Sequence, residues 1–291
     1  MRVLEKAGFP YSVDMSINSH NTFDSEFSTP NKRTLNVYYT KYTKNKEWAE
    51  FYNIKYLLNK LFEGNVFEVN FGGGEPTEYR GKNSDEDFPS ILFYAKQKGF
   101  RVSFVTKNYD LPSHPRIHHI LKNTDHISIV CDTPEDIDRA AELQDFIATN
   151  ALNEPDEETS VAFQASMFTW NTEKAMKWLR QFEKRAVNST GLNLTHTSLH
   201  SDLVSEQWVE WVKDIHERLG NPIAFDWMII TSFAQQFKQY GLSNYHLVGT
   251  EGNETCFIDA VNNVIKPYSY GEKEFEFDVR GFDIKEEFKR F

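Results

Sequence analysis

Val66-Phe67-Glu68-Val69-Asn70-Phe71-Gly72-Gly73-Gly74-Glu75-Pro76 is the stretch on which the fold turns. Apolar residues at 66, 67, 69 and 71 mark a mostly buried strand. Three consecutive glycines then open backbone conformations closed to other residues and let a ligand approach the main chain. Glu75 follows at the strand's carboxyl end, and Pro76 fixes the exit. A bare Gly-Gly-Gly most often serves a tight surface turn. With a strand in front and Glu-Pro behind, the reading moves toward a ligand loop.

Outward from this junction, strand and helix patterns alternate. A first strand starts at Ser12, and a polar loop covers Ser28 to Asn45. Lys46 to Phe62 then carries Trp48, Phe51, Leu58, Leu61 and Phe62 at helical spacing, stopped by Gly64. Pro89 to Lys98 reads as a helix closed by Gly99, Phe100 to Thr106 as a strand, and Pro112 to Lys122 as a helix. His126 to Val130 is a fourth strand, and Pro134 to Phe146 a helix with an acidic start that suits its dipole. Beyond the acidic loop at 153–159 come Val161 to Met167 (strand), Thr172 to Ala186 (helix) and Leu192 to His196 (strand). Ser205 to Leu219 (helix) and Ile223 to Ile230 (strand) complete the series. Such alternation predicts an α/β fold, a partial parallel (β/α)6-type barrel with right-handed crossovers. Asn244 to Val248, Glu254 to Ala260 and Val264 to Tyr270 read instead as a hairpin or small meander. Residues 1–230 are therefore assigned to the barrel. Residues 231–291 are assigned to a small C-terminal β-rich extension, with a hairpin and a terminal helix, packed on the same domain.

In barrels of this kind, ligand groups sit at the carboxyl ends of the strands. That rule selects Asn18 and His20, Gly73 to Glu75, Thr106 to Asn108, Cys131 and Asp132, Gln164 and Ser166, His196, and Asp226. A polar residue at a strand end more often caps a helix than holds a ligand, so each alone is a weak signal. His196-x3-His200 has a zinc-compatible spacing, yet it falls on a strand end or loop with no third ligand nearby. His118 and His119 are adjacent and point apart, as surface residues do. Cys131 beside Asp132 could be a nucleophile, but a buried structural thiol is the simpler account, and Cys256 reads as core. The sequence has no Walker loop and no Gly-x-Ser-x-Gly elbow.

Gly73-Gly74-Glu75-Pro76 after a second strand resembles the GGEP motif of the radical S-adenosylmethionine (radical SAM) superfamily. The strand–helix order of residues 11 to about 230 is similar to that family's, and Ile127-Ser128-Ile129-Val130-Cys131-Asp132 stands at its fourth strand. The tail, with Val248-Gly249-Thr250-Glu251-Gly252 before Phe257-Ile258-Asp259-Ala260, is similar to radical SAM-like proteins of some tailed phages. The resemblance implies a barrel of the radical SAM kind in which Gly73, Gly74, Glu75 and Pro76 hold the amino group of the cofactor. It also implies a Cys-x3-Cys-x2-Cys triplet after the first strand. Those three positions fall on Asn21, Ser25 and Ser28, with Phe27 where the family often keeps an aromatic residue. Cysteine thiolates are what a four-iron cluster requires, and serine or asparagine is a poor substitute. The only cysteines of the chain, Cys131 and Cys256, are too few to rebuild the triplet.

Composition bounds the remainder. A chain of 291 residues with 40% hydrophobic content can bury one large core. No apolar run reaches the roughly 18 to 20 residues of a membrane span, and Met1 to Pro10 carries no long apolar signal segment. Two isolated cysteines imply no disulfide framework and suit a reducing interior, so a cytoplasmic location is expected, the host cytoplasm if the chain is phage-encoded. A net charge of −11 argues against non-specific nucleic-acid binding. The preferred expectation is a pseudoenzyme without an iron–sulfur cluster, binding S-adenosylmethionine (SAM), a related nucleoside metabolite or a protein partner. Asn18, Asn108, Asp132, Gln164 and His196 are its expected pocket. Two alternatives stay open: a transferase or hydrolase with repurposed non-radical chemistry at the barrel mouth, and a cysteine-substituted form of a radical SAM enzyme.

Overall fold

Strict polar–apolar alternation in Ser12-Val13-Asp14-Met15-Ser16-Ile17-Asn18 builds strand β1 (Ser12–Asn18). In the computed structural model the described residues are 8–19, 48–81, 85–150, 159–166, 172–185, 191–195, 223–225, 234–239, 254–267 and 273–291, with Glu210, Lys213 and Glu217. Helix α1 (Phe51–Glu63) buries Ile54, Leu57, Leu58 and Leu61. It starts later than its apolar spacing suggests because Trp48 forms an antiparallel bridge with Asn18, and the Ala49 amide donates to the Ile17 carbonyl. Phe62, expected on its buried face, is exposed. Strand β2 (Glu68–Gly73) runs on through two of the three glycines. Val66 and Phe67 stay outside it, their amides donating to the Leu61 and Tyr11 carbonyls.

Helix α2 (Phe88–Lys98) is capped by the Asp87 side chain, which accepts from the Ser90 amide, and stops at Gly99 in a left-handed conformation. Strand β3 (Arg101–Thr106) follows. The single helix expected over 112–122 is a 3-10 turn at Leu111–Ser113 and a short α3 (Ile117–Lys122). Pro115 separates them, since the residue before a proline disfavours helical geometry. Then come β4 (His126–Val130), α4 (Pro134–Asn150), β5 (Ser160–Ser166), α5 (Thr172–Arg185), β6 (Gly191–Thr195), β7 (Ile223–Phe225) and α6 (Ala234–Gln239). The tail supplies β8 (Thr255–Asp259), β9 (Val264–Lys266), β10 (Phe275–Glu276) and α7 (Ile284–Phe288). Most of the helix expected at 205–219, and all of the strand expected at 244–248, lie outside the described residues.

The ten described strands form one sheet in the order β10-β9-β8-β1-β2-β3-β4-β5-β6-β7. Every pairing from β8 through to β7 is parallel, and β9 and β10 are antiparallel. With its flanking helices this is the architecture of a partial (β/α) barrel. The expected tail hairpin is present as β8–β9, with Asn263 at φ 57° in its turn. Its first strand lies directly against β1 from Ser12↔Thr255 to Ser16↔Asp259.

The register gives the sheet two unlike faces. Val13, Met15, Val69, Phe71, Val102, Phe104, Ile127, Ile129, Val161, Phe163, Cys256 and Ile258 share one hydrophobic cluster with the buried residues of α1 to α5. Within it, Trp178 stacks on Phe182 with ring centroids 5.4 Å apart. The opposite face is largely polar. Asp14, Asn70, Ser103, His126 and Ser160 lie side by side in a single register row across β1 to β5. Phe257 and Lys266 continue that row on β8 and β9. Val130, Ala162, Phe257 and Val264, also on this side, are buried yet stand apart from the main cluster.

Candidate functional site at the strand ends

Parallel pairing brings the carboxyl ends of β1, β2, β3 and β4 to one edge, where the glycine loop sits. Gly73 adopts φ +98°, and a Cβ there would lie 2.0 Å from Ser16 Oγ. Only glycine meets both demands at this position. The register slips between Ser16 and Asn18, so that Asn18 pairs with Gly73. The Gly74 amide donates to the Asn18 carbonyl at 2.9 Å. Asn18 Nδ2 in turn donates to the Glu75 carbonyl at 2.8 Å. Because that carbonyl can only accept, the amide oxygen must be the far end of the Asn18 side chain. Asn18 is fully buried, and its Oδ1 has no hydrogen-bond partner among the described residues.

Glu75 turns inward. Its Oε1 accepts from Thr77 Oγ1 (2.7 Å), Thr106 Oγ1 (2.8 Å) and the Thr77 amide (3.2 Å). Its Oε2 accepts from the Lys107 amide at 3.0 Å. Burial pushes its pKa up, opposed by these same hydrogen bonds to the charged form. The carboxylate thus caps the 3-10 turn Pro76–Glu78 and ties the loop to the end of β3. Asn108 reinforces the tie, its Nδ2 donating to Thr77 Oγ1 at 3.0 Å. Its role here is to brace the loop.

Next along the edge is a charged cluster. Lys107 Nζ lies 3.1 Å from Asp132 Oδ2 and 3.5 Å from Asp136 Oδ2. Asp136 also accepts from the Asp132 and Thr133 amides, each at 3.0 Å, holding the start of α4 against the end of β4. The strand-end rule selects Thr106 to Asn108 and Asp132, but not Asp136. A lysine directly after a strand, with aspartates following the next strand, was the available signal.

Of the other expected pocket residues, Gln164 lies on the polar face opposite Val130, and its carbonyl accepts from the Cys131 amide at 2.7 Å. His196, together with Asn21, Ser25 and Ser28, lies outside the described residues, as do His20, His200 and Asp226. The Cys131 thiol is buried and donates to the Ile129 carbonyl at 3.4 Å, and burial pushes its pKa well up. It is a packed thiol rather than an activated nucleophile. His118 and His119 are exposed.

No protein-family model and no curated protein matches the chain. Among solved structures, Streptococcus suis SuiB bound to the precursor peptide SuiA superposes with a TM-score of 0.65 at 13% identity, over 97% of this chain and 65% of SuiB. SuiB bound to S-adenosylmethionine gives 0.62 at 12% identity, over 97% and 64%. The chain therefore spans just under two thirds of SuiB's length. At such identity the likeness is one of fold, a partial (β/α) barrel. The four-iron cluster that the Gly-Gly-Glu-Pro resemblance implies needs three thiolates, and this chain has two cysteines, each buried. Among the described residues, no three His, Cys, Asp or Glu side chains are grouped to hold a metal ion. The donor set does not fit the cluster.

Proposed function

We propose that the chain is a radical SAM-like binding protein without cluster chemistry, whose strand-end loop takes SAM or a related nucleoside by its amino group. The observation that carries this reading is Asn18 Oδ1, a buried acceptor without a described partner, held beside the glycine loop by its own amide bond to Glu75. A buried acceptor is costly unless a donor reaches it, and an ammonium group is a strong donor. Asn18 and the Gly72–Gly74 backbone would hold the ligand, with Glu75 and Pro76 fixing the loop. A repurposed enzyme is the weaker reading. Lys107 is engaged by two carboxylates and Cys131 is buried, so neither offers an activated group to a substrate.

Titration calorimetry with SAM, S-adenosylhomocysteine and a des-amino analogue tests the proposal. Both amino compounds should bind, the analogue much more weakly, and Asn18→Ala should cost about tenfold or more, as loss of a hydrogen bond to a charged group does. Absence of heat and of any melting shift with millimolar SAM would remove the small-molecule reading and leave a protein partner as the occupant. Iron analysis after anaerobic reconstitution tests the other half. A stoichiometric brown cluster would overturn it.

A further inference from the structure

We propose that the polar face of the sheet carries a second site, distinct from the glycine loop, in which Asp14 seats the protonated primary amine of a small ligand. Asp14 occupies the centre of the row Lys266–Phe257–Asp14–Asn70–Ser103–His126–Ser160, which runs across seven strands. Its neighbours there are chiefly hydrogen-bonding groups. Asn70 Nδ2 donates to Asp14 Oδ1 at 2.8 Å, and Ser103 Oγ donates to Asn70 Oδ1 at 3.1 Å. His126 is bonded on both ring nitrogens, to Ser160 Oγ at 2.7 Å and Ser128 Oγ at 3.2 Å. Asp14 and its neighbour Asn70 are half-buried, as are His126 and Ser160, while Ser103, Phe257 and Lys266 of the same row are buried, so the accessible part beside Asp14 is the Asp14–Asn70 pair.

The charged groups facing this strip are arranged unequally. Glu68 has Arg101 3.9 Å away, and Lys266 has Glu274 at 3.1 Å. Asp259 is capped by the Val261 and Asn262 amides and by Asn262 Nδ2. Burial pushes His126 down to about 4, so it is neutral. Asp14 has a neutral amide where the others have charges or several donors, and burial pushes its pKa up to about 6. Among the described residues, no cation is paired with Asp14.

The donor set narrows which cation. One carboxylate among neutral amides and hydroxyls is a poor metal site. One carboxylate oxygen already accepts from Asn70, which disfavours the two-point fork of a guanidinium. An alkylammonium needs one charged acceptor with a neutral polar group beside it, and Asp14 with its neighbour Asn70 supplies that pair. This inference does not rest on the ligand of the glycine loop.

The test uses butylammonium as probe, with butanol as its neutral counterpart, read by the 13C signal of the Asp14 carboxyl group and by melting temperature. At pH 7.5 butylammonium should shift the Asp14 signal saturably in the millimolar range and raise the melting temperature. The shift should fade as the pH drops through about 6, where Asp14 takes up its proton. Asp14→Asn should abolish the thermal effect, and Asn18→Ala should leave it intact. An equal response to butanol, a thermal effect that survives in Asp14→Asn, or one lost only in Asn18→Ala would each overturn the proposal. The last result would place the amine at the loop instead.

Discussion

Asp14 and Glu75 are both carboxylates on or beside neighbouring parallel strands, yet their surroundings differ in kind. Glu75 accepts four hydrogen bonds and serves as a fastening between loop and strand. Among the described residues Asp14 accepts one, and burial dominates its shift to about 6 from an ordinary value of 3.8. The sign of the resulting pH dependence follows from linkage. A carboxyl whose folded pKa is raised contributes stability that is complete below pH 3.8 and lost as the pH rises through about 6. Asp14→Asn removes that loss while keeping an acceptor for Asn70. We expect the variant to be more stable than the wild type by about 1–3 kcal/mol at pH 7.5. The difference should vanish near pH 4. Urea denaturation of both proteins across that range checks it, and a difference independent of pH would assign the effect to packing.

At the scale of elements, Lys107, Asp132 and Asp136 add a charged tie to the paired ends of β3 and β4. Lys107 is 12% exposed and Asp132 1% exposed, so the pair is screened little by solvent. Removing one partner of such a pair leaves a buried charge uncompensated. Lys107→Met is expected to cost about 3–5 kcal/mol in chemical denaturation, and Lys107→Met with Asp132→Asn to recover a large part of it. A double variant no better than the single one would mean that the lysine acts through its aliphatic stem. Elements of this length were readable locally. β4 falls on the expected residues, and α2 lies within one residue of expectation because Asp87 and Gly99 punctuate it. The start of α1 departs from its apolar spacing for a non-local reason: Trp48 is drawn into a bridge with Asn18, thirty residues earlier in sequence.

For the whole molecule, the tail is continuous with the barrel sheet. β8 covers one edge of β1, while β2 covers the other, so β1 is an interior strand only because residues 255–259 return to it. Met15 and Ile258 lie opposite one another in that pairing, and both belong to the main hydrophobic cluster. Deleting residues 254–291 should expose the β1 edge, lower the cooperativity of unfolding and promote aggregation, measured by calorimetry and light scattering. A truncated chain that stays monomeric and melts cooperatively at the original temperature would show that the barrel holds without its tail.

What the linear chain determined is chemical inventory and local rhythm. Two cysteines cannot furnish three thiolates wherever they are placed, and a strand pattern running into three glycines marks where that strand must end. The alternation of β1 was also in plain view, with a polar side chain at every second position from Ser12 to Asn18. What those polar residues face was decided by tertiary structure. Parallel register places Asp14 beside residue 70 on one side and residue 257 on the other, and sets Glu75 against Thr106 and Lys107. Period-two patterning tells a residue which side of its strand it occupies, but carries no information about which distant strand will lie alongside. That choice belongs to the packing of the sheet as a whole, and it made one carboxylate a fastening and left the other in want of a cation.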